Sequence, residues 1–158
     1  MKSIDVDDVA GKLAPGQRVF VVGSSNEPVG LLDALASRPD CAEAVTFIQF
    51  PLPGLNTFDF VGLHPSARME TFFLTPALRD GYAAGRVDYV PMQMRYVYEY
   101  LGNEAVDVAL VQVARAADGT LRLGPNADFY GAVEKTAGVV IAEPVSYTHL
   151  TLPTSFLV

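Results

Sequence analysis

The sequence predicts an open, mostly parallel α/β sheet flanked by helices, a three-layer fold, and three observations lead there. First, RVFVVG at 18–23, AVTFIQF at 44–50, VDVALVQV at 106–113 and GVVIAE at 138–143 are apolar runs with little alternation. Strands read this way when both sheet faces are covered. Second, amphipathic segments of about ten residues separate these runs, as crossovers between parallel strands require. Third, 158 residues, half of them hydrophobic, suit one domain, and such a chain buries about 70% of its unfolded surface.

The elements follow in order. Ile4, Val9 and Leu13 among Asp and Lys predict a short leading helix, stopped at Pro15-Gly16. The strand at 18–23 runs into the polar turn SSNEP. A helix follows through VGLLDALASR, with Pro28 in its first turn and Asn26 or Ser25 as its cap. A second strand at 44–50 precedes an irregular loop over 51–70, rich in Pro, Gly and Asn, and TFFL at 71–74 reads as a further strand. Pro76 opens a helix through Ala84, ended by Gly85. After a short strand at 87–90, Met94, Val97, Tyr98 and Leu101 place one face on a helix that Gly102-Asn103 stops. The strand at 106–113 gives the clearest buried pattern. Asp118-Gly119 turns the chain, a helix starts at Asn126 or Ala127-Asp128 and runs through Thr136, and a strand at 138–143 closes the pattern.

Charge and composition exclude several functions. A net charge of −7, with no Lys/Arg run, argues against nucleic acid and anionic membranes as partners, because phosphates are bound by clustered cations. No apolar stretch approaches the ~20 residues of a membrane span, and the start MKSIDVDDVAGKL is acidic where a signal peptide is basic then apolar. A cytoplasmic location is expected. The single Cys41 excludes an internal disulfide and reads as an inert thiol; with only His64 and His149 no metal-ligand cluster is expected.

The segment VSYTHLTLPTSFLV, from Val145, contains no Asp, Glu, Lys or Arg and has no helical face. Residues 145–154 are the translation of GTCTCTTATACACATCTGACGCTGCCGACG, which resembles a transposon-based sequencing adapter read through in frame. On this reading residues 1–144 form the domain, 145–158 are a non-native tail, His149 drops out as a ligand, and the chain is truncated. A native tail with alternating Thr and Leu is the other reading.

Candidate chemistry centres on GSSNEP, residues Gly23, Ser24, Ser25, Asn26, Glu27 and Pro28. This turn lies at the carboxyl end of the first strand and the amino end of its helix, where backbone N–H groups favour an anion. It has no GxGxxG or GK[ST] spacing, and Glu27 repels an anion, so it reads as a capped helix start or as a loop shaping an active-site wall. Pro91, Met92 and Gln93, and Gln112 at the carboxyl end of the long strand, are further wall candidates. His64 and Ser66 sit two residues apart in a loop, a spacing that does not make a catalytic dyad. Tyr96 and Tyr100 share a helix face and Tyr98 joins Met94 and Leu101, a stripe of packing type.

In matching order over roughly 14–143, the chain resembles the acetyl-CoA hydrolase/transferase family, a class I CoA-transferase type that includes 4-hydroxybutyrate CoA-transferase-like enzymes. The residues that carry the likeness are GQRVFVVGSSNEPVGLLDALASR, GRVDYVPMQM and VDVALVQVARAADGTLRLGPNADFYGAVEKTAGVVIAE. Ala114-Arg115 and Arg122 depart from the family's usual Ser-Pro and Ser. The resemblance implies the amino-terminal half of a two-domain, homo-oligomeric enzyme with an isomerase-like α/β fold. It implies acyl-CoA and a small carboxylate as substrates, and a nucleophilic Glu in the second domain that passes through a glutamyl-CoA thioester. No residue here matches that Glu, including Glu27, Glu99, Glu104, Glu134 and Glu143. The 158-residue chain is therefore expected to be inactive and to hold no cofactor itself, coenzyme A thioesters being substrates of the parent enzyme. A small sugar-phosphate isomerase-like enzyme and a non-catalytic packing domain are the alternatives.

Overall fold

A computed structural model describes residues 5–116, 118–124 and 126–145. Ile4 and the expected tail beyond Val145, His149 included, lie outside these residues. The described residues form seven strands: β1 (Arg18–Val21), β2 (Thr46–Gln49), β3 (Arg68–Thr71), β4 (Val87–Tyr89), β5 (Val106–Arg115), β6 (Leu121–Leu123) and β7 (Ala137–Val145). One sheet runs β4-β3-β2-β1-β5, and every neighbouring pair is parallel. β7 pairs with β5 in parallel from Val106↔Ala137 to Ala114↔Val145. β6 pairs with β5 antiparallel at Val113↔Leu123. A strand has two edges, so β6 shares the β1 edge of β5, beyond the end of β1, and β7 takes the other.

The missing alternation in the strands has a direct cause. Val19 and Val21 join Phe47, Met69, Val108, Leu110 and Ile141 in one core, while Phe20, Ile48, Ala109 and Val111 belong to a second. Successive side chains point to opposite faces, and both faces are covered. The first core is closed by the helices α1 (Val29–Ala36) and α2 (Phe60–Leu63) through Leu31, Leu32, Leu35, Phe60 and Val61. α3 (Arg79–Ala83) leads into β4. The second core is closed by α4 (Met94–Leu101) and α5 (Tyr130–Val133) through Val97, Leu101, Ala132 and Val133. The result is the three-layer α/β arrangement the sequence predicts.

Five local expectations need correction. The leading segment is a 3-10 helix over Val6–Lys12, begun by the Asp5 carboxylate accepting the Asp7 N–H; only Val9 and Ala10 are buried, too little apolar surface for a longer α-helix. The third strand is RMET at Arg68–Thr71, not TFFL. Arg68 and Glu70 hide it, because each is charged for a partner on the sheet face, Asp88 and Arg18 respectively. The loop over 51–70 contains α2, started by the Asp59 carboxylate accepting the Gly62 N–H at 2.9 Å. The helix expected from 126 shrinks to Tyr130–Val133, because Asp128 takes a left-handed φ of 45°. On α4 the buried line is Val97 and Leu101 with Tyr100 half-buried against Phe72, whereas Met94 and Tyr98 face outward. No helix of the described residues is long and apolar enough to cross a membrane.

Candidate functional site

The carboxyl ends of β1, β2, β5 and β7 converge on residues 23–31. Gln49 ends β2 on the face that carries Phe47, and Gln112 and Glu143 are register partners in β5 and β7. Thr71 in β3, the register partner of Gln49, continues this polar row at the strand ends. Gln49 is only 2% exposed, and a buried amide is kept where its hydrogen bonds are made.

Those bonds hold the 23–28 turn. Gln49 Nε2 donates to Glu27 Oε1 at 2.9 Å, and Gln112 Nε2 donates to the Glu27 carbonyl at 3.2 Å. The Gly23 N–H donates to Asp128 Oδ2 at 2.9 Å. The Ser24 N–H donates to Asn56 Oδ1 at 2.9 Å, and Asn56 Nδ2 returns a bond to the Ser24 carbonyl at 3.0 Å. Ser24 sits at φ 56°, a left-handed conformation, and the Asn56 clasp offsets its cost. The Asn26 amide donates to the Asn126 carbonyl. Gly23 is required for space, since a Cβ there would lie 2.5 Å from the Phe50 carbonyl oxygen.

Neither Ser25 nor Asn26 caps α1. Pro28 occupies the cap position without a side-chain bond, and the Glu143 carboxylate, from β7, accepts the Gly30 N–H at 3.1 Å and the Leu31 N–H at 3.4 Å. An anion suits this helix end, and the protein supplies its own. A Cβ on Gly30 would stand 2.6 Å from Glu143 Oε1, so the small residue admits the carboxylate. The helix end at which an anion is favoured is thus filled from within, and of the turn's polar side chains Ser25 is exposed while Ser24 and Glu27 are half-buried.

On the opposite face, Phe50 stacks near Phe73 (centroids 6.0 Å apart) and Phe129 (5.5 Å). Met92 and Val90 pack on the same core. Pro91 and Gln93 are exposed beside them in the link from β4 to α4. Gly23 to Pro28 and Gln112 are therefore brought together, whereas Pro91, Met92 and Gln93 follow β4, which β2 and β3 separate from β1. The site also includes Gln49, Asn56, Asp128 and Glu143, which the sequence reading does not select. Gln49 carries the same signal as Gln112, a polar residue closing an apolar strand.

His64 Nδ1 lies 2.8 Å from Ser66 Oγ, and that oxygen accepts the Ala44 N–H at 2.8 Å. This contact precedes β3, at the amino end of the strands, and ties two connections together. Burial pushes the half-buried Cys41 thiol above its ordinary pKa, which suits an inert role. Among the described residues no three His, Cys, Asp or Glu side chains gather as metal ligands.

Burial also raises the Asp128 carboxyl, although bonds from the Gly23 and Phe129 N–H groups oppose this. A carboxyl with a raised folded pKa contributes stability that is full below the ordinary aspartate range, about pH 4, and is lost as pH rises through the folded value. Asp128→Asn remains neutral and keeps an oxygen for the Gly23 N–H. The variant is expected to lose this downward slope, read as unfolding midpoints between about pH 4 and 7; parallel profiles for the two proteins would contradict the assignment.

Residues 1–148 match the family model described as acetyl-CoA hydrolase/transferase N-terminal domain. The chain is 26% identical over 159 aligned positions to a 4-hydroxybutyrate coenzyme A transferase of Clostridium kluyveri, covering 99% of this chain and 37% of that protein. It therefore spans 37% of the length of the curated relative it matches. A 4-hydroxybutyrate CoA-transferase of Porphyromonas gingivalis superposes with a TM-score of 0.56 at 21% identity, over 89% of this chain and 32% of that one. A variant of the decarboxylase AibA/AibB superposes with a TM-score of 0.68 at 16% identity, over 90% of this chain and 74% of that one. At these identities the two structures speak for the fold.

Proposed function

The chain belongs to the acetyl-CoA hydrolase/transferase family, whose N-terminal domain it carries, and from that membership we propose that it forms one wall of an active site that moves CoA between short carboxylic acids. The observation that carries this is the family match across residues 1–148. The pre-organised 23–28 turn at the carboxyl ends of the strands supports it, since this edge of an open α/β sheet is where ligands bind.

The chemistry proposed for the parent enzyme uses a glutamate outside these residues. Its carboxylate attacks the acyl-CoA carbonyl, the C–S bond breaks, and an acyl-glutamyl anhydride and CoA thiolate form. The thiolate attacks the glutamyl carbonyl, giving a glutamyl-CoA thioester and the free acid. An incoming carboxylate then reverses the two steps, or water hydrolyses the thioester. Within this proposal the present residues shape the acyl side of the cleft, Gly23 to Pro28 and Gln112 first, and Pro91 to Gln93 from the β4 side. The substrates are acyl-CoA thioesters and small carboxylates, 4-hydroxybutyrate among them by the names of the relatives, and the parent is a homo-oligomer.

The test extends the reading frame past codon 144 in an independent assembly of the gene, then assays CoA exchange between acetyl-CoA and short acids. A further α/β half and exchange by the longer protein are expected, with none by the 158-residue chain. A stop codon shortly after 144, or enzyme-like exchange by the short chain alone, would overturn the proposal.

A further inference from the structure

Glu27 is held at three points. Gln49 fixes its Oε1, Gln112 holds its carbonyl, and the Val29 N–H donates to that same carbonyl at 2.9 Å. Gln49 is almost fully buried, whereas Glu27 itself is half-buried at the strand ends. Among the described residues Glu27 Oε2 has no hydrogen-bond partner. A carboxylate with one oxygen anchored by a buried amide and the other left without a partner among the described residues is an oriented acceptor. Its bonding capacity is acceptor-only while it is ionised.

We propose that Glu27 is a specificity-determining residue of this wall, and that Gln49 is its positioning residue: the free Oε2 accepts a hydrogen bond from a donor on the acyl chain and repels acyl chains that end in a second carboxylate. The inference rests on the CoA-transfer reading and narrows it to donor-bearing, uncharged chain ends such as a hydroxyl. Discrimination then has both elements that specificity uses, an attractive contact for one class and a like-charge contact against the other. A buried glutamine beneath the carboxylate makes the repulsion effective, because a free side chain would swing aside.

The experiment compares 4-hydroxybutyrate with succinate as CoA acceptors, as the ratio of kcat/KM values in the longer enzyme and in its Glu27→Gln and Gln49→Leu variants. A ratio taken within one protein is insensitive to how much of the sample is folded. The parent enzyme is expected to favour the hydroxy acid. In Glu27→Gln the ratio should fall at least ~10-fold, chiefly through a lower KM for succinate, because the charge is gone while the side chain keeps its size. In Gln49→Leu the ratio should fall in the same direction, through a higher KM for the hydroxy acid. Transfer with an unchanged ratio in Glu27→Gln overturns this inference and leaves the CoA-transfer reading standing. A ratio altered in Glu27→Gln and unchanged in Gln49→Leu removes Gln49 from the assignment. Absence of transfer to any acid overturns the reading and the inference with it.

Discussion

Arg18→Leu is expected to destabilise the protein by about 3–5 kcal/mol. Glu70 lies in β3 with its side chain 10% exposed, and its Oε2 is 3.3 Å from Arg18 Nη2. Its Oε1 is buried with no partner among the described residues. Removing the guanidinium leaves a largely buried carboxylate without its cation, and the Ala105 carbonyl also loses its bond from Arg18 Nε. A buried charge left alone is costly, whereas replacing both members of a pair by apolar groups is often near neutral. Arg18→Leu/Glu70→Leu should therefore recover most of the loss. Urea denaturation of the single and double variants measures both effects. A single variant within about 1 kcal/mol of the parent would show that solvent screens this pair as it does surface pairs.

Gly23→Val is expected to cost about 3 kcal/mol, the upper range for forcing extra atoms into a packed site. Gly23 has φ −99° and ψ −153°, a backbone shape open to every residue, so the demand is for room. A Cβ would stand 2.5 Å from the Phe50 carbonyl oxygen and 3.3 Å from Gln49 Cγ. The backbone oxygen belongs to the end of β2 and cannot rotate away, so the turn must shift. That movement pulls the Gly23 N–H from Asp128 and disturbs the Gln49 bond to Glu27. Gly11→Ala serves as the control, because a Cβ there meets nothing within 4 Å. Thermal unfolding together with the Gln49 and Gln112 side-chain amide resonances would report the change. A stable Gly23→Val protein with unshifted resonances would show that the turn has slack which the geometry denies it.

The strands and the turn at their ends differ in how far sequence reveals them. β1, β2, β5 and β7 announce themselves because a strand between two cores loses its alternation, and α1 and α4 because an apolar line recurs at helical spacing. β3 escapes, since its Arg68 and Glu70 are paired with residues 20 and 52 positions away along the chain. α5 is shorter than its pattern because Asp128 is bent to reach Gly23, a bond across 105 residues. The cap of α1 is still more remote: Glu143 meets Gly30 across 113 residues, and local cap rules search only the neighbouring few.

The layered α/β class, the family resemblance and the position of the 23–28 turn and Gln112 at strand ends are legible from the residues alone, because apolar periodicity and turn chemistry are local properties. What that turn can offer depends on partners that folding brings in. Folding fills the helix end with Glu143, spends the Gly23 and Ser24 N–H groups on Asp128 and Asn56, and fixes Glu27 over Gln49. A buried polar group is satisfied by whatever the fold brings within about 3 Å, and parallel strands place residues from opposite ends of the chain side by side.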